Sequence, residues 1–138
     1  MPTPTIDLLR GVPLFSGLDD PLLQRLAGEF FEKTFSDGEV MAAEGEAGRT
    51  FIIIDTGEAS VSVQGAEVST LGPGQAFGEM ALIDKSARSA TVKAVGQAHC
   101  YLLPIWSFRP IVEEHPEMAW SLLEKLAQLV RDTQARES

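Results

Sequence analysis

The spacing of apolar residues changes character twice along this chain, and the resulting stretches predict different kinds of structure. Before residue 30 the clearest signal is Asp19-Asp20-Pro21 followed by Leu22, Leu23, Leu26 and Ala27. A capping carboxylate, a first-turn proline and apolar residues at helical spacing predict a short helix that stops near Gly28. Ahead of it, Leu8, Leu9, Val12, Leu14 and Phe15 are interrupted by Gly11, Pro13 and Gly17, which predicts an irregular, partly helical segment docked on a core. From about residue 30 to 105 the chain becomes short runs rich in β-branched and aromatic residues. The runs are cut at Asp37-Gly38, Gly45 to Gly48, Thr56-Gly57, Gln64-Gly65, Gly72-Pro73-Gly74 and Gly96, the punctuation of strands and turns. Residues 59–63 alternate apolar with polar, Gln64-Gly65 suits a tight hairpin turn, and residues 66–71 return as the partner strand. Residues 89–95 and 98–105 read as two further strands. After Ile105 the helical period resumes. Ser107 is placed to cap a short helix through Val112, Glu113-Glu114-His115 forms a connection, and Pro116 opens a longer helix. On it Met118, Leu122, Leu126 and Leu129 or Val130 share one face.

Strands at this spacing, framed by helices, predict a mainly β domain: an antiparallel β-roll or jelly-roll-like double sheet. Its expected parts are an N-terminal helical segment (1–29), the roll (30–105) and two C-terminal helices (106–138). At 138 residues the chain has room for one such domain with a real core. Acidic residues outnumber basic ones 20 to 11, a net charge of −9, which disfavours direct contact with nucleic acid or anionic lipid. The start of the chain lacks the basic region and apolar run of a secretion signal, and the single Cys100 has no intramolecular disulfide partner. A cytoplasmic protein with no membrane insertion is expected.

The same inventory argues against catalysis. His99 and His115 fall in no metal-ligand spacing. Cys100 sits in the apolar run with Tyr101 and reads as a buried, inert thiol, and Ser60, Ser62 and Ser69 lie outside any nucleophile elbow. A phosphodiesterase would need a metal cluster or a positioned base, and neither is legible. Trp106 and Trp120 are expected to be packing residues.

Residues 74–92 carry the informative chemistry. Gly78 permits a tight turn, and Glu79-Met80-Ala81-Leu82-Ile83 fits a single helical turn with free N–H groups facing an anion. Arg88 follows after a polar loop, with a guanidinium able to hold two phosphate oxygens, and Ser89 adds a hydroxyl. Glu79 is matched by charge to sugar hydroxyls rather than to phosphate. Together these groups suit a ribose phosphate.

Phe77-Gly78-Glu79-x-Ala81-Leu82 followed by Arg88-Ser89-Ala90-Thr91-Val92 resembles the phosphate-binding cassette of cyclic nucleotide-binding domains. These are the domains of the bacterial catabolite activator protein, protein kinase A regulatory subunits and cyclic-nucleotide-gated channels. The likeness continues at Leu14-Phe15-Ser16-Gly17-Leu18, Gly38-Glu39-Val40, Glu44-Gly45, Gly57, Leu71-Gly72-Pro73-Gly74 and Glu114-His115-Pro116. It implies a non-enzymatic receptor whose ligand is held by Phe77, Gly78, Glu79, Met80, Ala81, Arg88, Ser89 and Ala90. Glu79 would accept from the ribose 2′-hydroxyl. Arg88 would pair with the cyclic phosphate, aided by Ser89 and N–H groups near Met80 and Ala81. Thr133 aligns with an adenine-contacting threonine of the catabolite activator, and Ser at position 89 occurs in cAMP binders where Thr is associated with cGMP. The resemblance therefore implies cAMP, with a cGMP-preferring receptor or a non-binding scaffold as alternatives. It adds no cofactor and implies an unknown downstream protein, with the final helix as lid and possible homodimer contact.

Overall fold

The computed structural model describes residues 3–79, 81–84 and 87–137. It opens with α1 (Ile6–Arg10), a 3-10 turn (Pro13–Phe15) and α2 (Asp20–Ala27). The strands are β1 (Phe31–Phe35), β2 (Val40–Ala42), β3 (Thr50–Val63), β4 (Ala66–Leu71), β5 (Ala76–Phe77) and β6 (Thr91–Pro104), with a single helical turn, α3 (Ala81–Asp84), between β5 and β6. Helices α4 (Ile105–Glu114) and α5 (Pro116–Glu137) follow.

Phe51, Ile52, Ile53 and Ile54 are all buried, so β3 is apolar at successive positions because both of its faces are covered. Phe51 and Ile53 join Tyr101 and Leu103 beneath the helices, whereas Ile52 and Ile54 join Phe35, Ala42, Cys100 and Leu102 inside the roll. The period-2 geometry of a strand thus divides one run between two cores. β3 and β6 pair antiparallel from Thr50 opposite Pro104 to Ser62 opposite Thr91. Each long strand then offers its other edge to two short ones: β1 and β2 to β6, β4 and β5 to β3. This makes the mainly antiparallel, six-stranded roll with flanking helices that the sequence predicts.

Two of the expected strand breaks are bends within continuous strands. Residues 89–95 and 98–105 belong largely to β6, and Thr56-Gly57 lies inside β3. The ladder steps from Glu58 opposite Val95 to Thr56 opposite His99, a bulge rather than a turn. Gly57 has φ +95°, and a Cβ there would lie 2.5 Å from the Gln97 carbonyl oxygen, so only glycine permits this approach of the two main chains. The β1–β2 turn caps the bulge, with Gly96 N–H donating to Asp37 Oδ1 at 2.7 Å and Gly38 N–H to the Ala94 carbonyl at 2.8 Å. The 64–65 turn forms as expected, with both φ angles positive, 52° and 83°.

Asp19 caps α2 through the Leu22 N–H at 3.1 Å. Phe15 and Phe30 both pack edge-on against Phe51, with centroids 5.5 and 6.3 Å away, and this fixes the N-terminal segment to the sheet. α4 begins earlier than the Ser107 cap predicts, because Ile105 N–H donates to the Arg49 carbonyl at 3.0 Å and the strand runs directly into the helix. The connection to α5 shrinks from three residues to His115, since Glu113 and Glu114 lie in α4. On α5, Met118 and Leu122 are buried and Leu126 packs on the same core, but Val130 is exposed. Trp106 and Trp120 are 67% and 70% exposed, a correction to their expected packing role. The inward faces of α4 and α5 are taken by Phe108 with Ile111 and by Met118 with Leu122, which turns the indoles outward.

On the sheet surface His99 of β6 bridges both neighbouring strands, Nε2 to Glu32 of β1 at 2.8 Å and Nδ1 to Asp55 of β3 at 3.0 Å, with the Tyr101 ring edge-on at 5.3 Å. The Glu32 hydrogen bond foremost raises the His99 pKa; burial opposes it, and the Asp55 hydrogen bond and the two carboxylate charges add to the rise. The folded chain therefore holds this proton more tightly than the unfolded chain does. The stabilisation is complete below the ordinary imidazole value of about 6.5 and is lost as pH rises through the folded-state pKa. We expect a decline in stability of about 0.2–1 kcal/mol across that window, the range of partly exposed ion pairs. Denaturant unfolding at a series of pH values should show the decline in the parent and not in His99→Gln; equal slopes would remove His99 from the linkage.

Candidate functional site

Phe77 ends β5 opposite Ile52 of β3. The chain then reverses at Gly78, whose φ of +88° lies where side chains are strained. Ala81 N–H donates to the Gly78 carbonyl and Leu82 N–H to the Glu79 carbonyl, each at 3.1 Å, which closes the turn leading into α3. The expected helical turn is thus shifted to Ala81–Asp84, and the Ala81 N–H expected to face an anion is engaged within the turn. Leu82, 3% exposed, roots this turn in the core beneath the helices.

The returning chain is clamped to the loop between β2 and β3. Arg88 N–H donates to the Glu46 carbonyl at 2.8 Å, Gly45 N–H donates to the Arg88 carbonyl at 2.9 Å, and Ala47 bridges Ala87. Arg88 Nη2 donates to the Thr50 carbonyl at 2.5 Å. A Cβ on Gly78 would lie 2.2 Å from Arg88 Nη1, so the guanidinium occupies the space that glycine leaves empty. Burial lowers the Arg88 pKa and the Glu79 charge acts against that shift. Arginine stays protonated through shifts of this kind, so a charged, half-buried guanidinium stands at the site.

These residues border a cavity of about 450 Å³. Phe77, Gly78, Glu79, Ala81, Arg88, Ser89 and Ala90 all line it, so the fold brings together the cassette residues named from the sequence. Met80 lies outside the described residues. Thr133 is absent from the lining; its hydroxyl donates to the Leu129 carbonyl at 3.0 Å, one turn back along α5. The opposite wall is apolar, with Val61, Leu71 and Val92, and Ser69 pairs with Val61 across the β3–β4 hairpin. The lining thus combines one carboxylate, Glu79, one guanidinium, Arg88, close enough to feel the Glu79 charge, and apolar side chains. The arrangement fits a ligand that has an anionic group, hydroxyls and a flat apolar body.

Sequence reading missed the Thr50 carbonyl, the 45–47 clamp and the apolar wall. The first two are main-chain groups, which leave no mark on residue identity beyond the nearby Gly45 and Gly48. Elsewhere, the Cys100 thiol is fully buried and burial pushes its pKa up to about 11, as expected of an inert thiol. Among the described residues no group of three or more His, Cys, Asp or Glu could hold a metal, and no helix is long and apolar enough to cross a membrane.

Comparison with known proteins agrees with this geometry. A cGMP-dependent protein kinase of Eimeria tenella is 43% identical over 84 residues, 59% of this chain and 8% of that protein. The human potassium/sodium hyperpolarization-activated cyclic nucleotide-gated channel 4 is 29% identical over 111 residues, 80% of this chain and 9% of the channel. The chain therefore spans less than a tenth of the length of these curated relatives. The crystal structure of the N-terminal domain of a transcriptional regulator from Streptomyces coelicolor A3(2) superposes with a TM-score of 0.86 at 27% identity, covering 96% of each chain. The family profile described as cyclic nucleotide-binding domain matches residues 32–115, more than half of the sequence, and the chain belongs to that family.

Proposed function

We propose that this domain is a non-catalytic receptor for a cyclic mononucleotide, with cAMP preferred over cGMP, and that the ligand occupies the cavity between the 77–90 segment and the roll. The observation that carries the reading is the convergence of Glu79 and Arg88 on one cavity with an apolar wall. Arg88 pairs with the cyclic phosphate, and Glu79 accepts from the ribose 2′-hydroxyl. Ser89 supplies a further hydroxyl to the phosphate. The base lies against Val61, Leu71 and Val92. Adenine carries fewer exocyclic polar groups than guanine, and a wall of this kind penalises each polar group left without a partner. A cGMP-preferring receptor is the second reading, favoured by the 43% identity with a cGMP-dependent kinase.

Calorimetric titration of chain freed of co-purified nucleotide should give saturable binding of cAMP and weaker binding of cGMP. The reverse order would establish the second reading, and no heat or thermal shift with either would leave the domain a scaffold. Arg88→Ala should weaken binding by about 10- to 100-fold, the worth of a charge-assisted pair of about 1.5–3 kcal/mol, while circular dichroism shows the fold retained. Parent-like affinity in that variant would put the phosphate elsewhere.

Glu79→Gln should cost less and act on the sugar. The parent should discriminate against 2′-deoxy-cAMP, and the variant should largely lose that discrimination. Equal losses for both ligands would remove Glu79 from ribose recognition.

The final helix is proposed as the responsive element. Met118 and Leu122 anchor its start, Leu129 lines a small cleft together with Glu79, and Val130 is exposed. A ligand that touches Glu79 favours whichever helix position suits the occupied cavity, by its differential affinity for the two states. Amide exchange with and without saturating cAMP should show added protection over 127–137 as well as 77–90. Protection confined to 77–90 would make α5 a fixed packing helix.

A further inference from the structure

A second cavity, of about 520 Å³, lies on the far side of Arg88 and shares only Arg88 and Ala42 with the first. Its lining includes three cations, Lys33, Arg49 and Arg88, against the single carboxylate of Glu46. That balance is the reverse of the chain as a whole, with its net charge of −9. Its accessible apolar lining is the exposed Val40 and the half-buried Met41, above Phe35 and Ile52, which are buried in the roll core.

The cations come from separate elements; the Lys33 and Arg88 side chains are held in place, and Arg49 is held only through its main chain. Lys33 Nζ stands 3.3 Å from Glu39 Oε2 and 4.6 Å above the centre of the Phe35 ring. Arg49 is exposed, but its main chain is fixed by the hydrogen bond from Ile105, and it makes none of the ion pairs found among the described residues. Arg88 is tied to Thr50. Converging cations in a concave, partly apolar site raise the local concentration of anions even on an acidic protein. A bare inorganic anion would satisfy the charges and leave the apolar lining wetted, whereas a neutral apolar molecule would strip water from the cations without replacing it. Only a molecule with both features gains on both sides.

We infer that this cavity is a second ligand site, distinct from the nucleotide cavity, for a small organic oxyanion whose carboxylate or phosphate meets Arg49 and Lys33 while an apolar body lies on Val40 and Met41. The inference does not rest on the nucleotide reading, because Lys33 and Arg49 do not line the first cavity.

The test titrates the full chain, followed by amide nitrogen–proton shifts, with benzoate, phenyl phosphate and the neutral benzyl alcohol. One or both anions should give saturable shifts at Lys33, Arg49 and Thr50, and which of them binds identifies the head group. The alcohol should not saturate the same signals. Lys33→Gln combined with Arg49→Gln should weaken anion binding by about tenfold or more, as expected for loss of charge-assisted hydrogen bonds. If that pair unfolds the chain, Arg49→Gln alone, at an exposed side chain, makes the same comparison. Equal response to alcohol and anions, absence of saturation with both anions, or anion binding unchanged in the variants would each overturn the proposal. Cyclic nucleotide titrated into the same samples reads the other cavity separately, so failure there leaves the anion result standing.

Discussion

The antiparallel ladder between β3 and β6 is the constraint on which the rest of this molecule depends. From Thr50 opposite Pro104 to Ser62 opposite Thr91, it sets the alternation that sends Phe51 and Ile53 to the helices and Ile52 and Ile54 into the roll. A slip of one residue would exchange the two sets and strand each in the wrong core. The bulge at Gly57 then bends the paired strands without ending either, so a ribbon that would otherwise twist open curls back on itself. Edge pairing by β1, β2, β4 and β5 follows from the edges that this ribbon leaves free.

The site inherits its geometry from the end of that ladder. Thr50 is its first residue, and its carbonyl accepts the Arg88 guanidinium. Two residues further along, Ile52 pairs with Phe77, the last residue before the Gly78 reversal. The cation and the turn beside it are therefore positioned by neighbouring positions of one strand rather than by a mobile loop. The cost of burying part of a guanidinium is met during folding, by a main-chain acceptor and the nearby Glu79 charge. A ligand arriving at such a group need not order it, which reduces the entropy lost on association.

Local signals with a side-chain signature were legible in the sequence. Asp19 and Pro21 marked the start of α2, Gln64-Gly65 marked the hairpin, and the order of residues from Phe77 to Val92 marked the cassette. What escaped was set by long-range packing. Gly96 reads as a strand end in isolation, but with β3 alongside it becomes a bulge in a continuous strand. Trp106 and Trp120 carry no sign of which helix face the core will take, and smaller residues filled it. Thr133 could be counted along α5 but not aimed, because the direction of the helix is decided by its anchor at Met118 and Leu122. The 45–47 loop acts through its main chain, so its identity as the clamp on Arg88 emerges only from the hydrogen bonds.

Arg88 joins the two halves of the picture. It is the only charged residue in both cavities among the described residues. Its guanidinium is confined by the absence of a side chain at Gly78, and a Cβ on Gly48 would also lie 3.3 Å from Arg88 Nε. A planar group held between two glycines and a carbonyl has little freedom to swing toward one cavity without changing its presentation to the other. Close packing around it favours discrete arrangements over gradual displacement. The acidic character of the chain opposes the attraction of anions elsewhere: with a net charge of −9, the surface favourable to an anion is confined to where this cation and its neighbours converge. The same residue therefore links fold and recognition, since the ladder that positions Thr50 also determines where its positive charge can be offered.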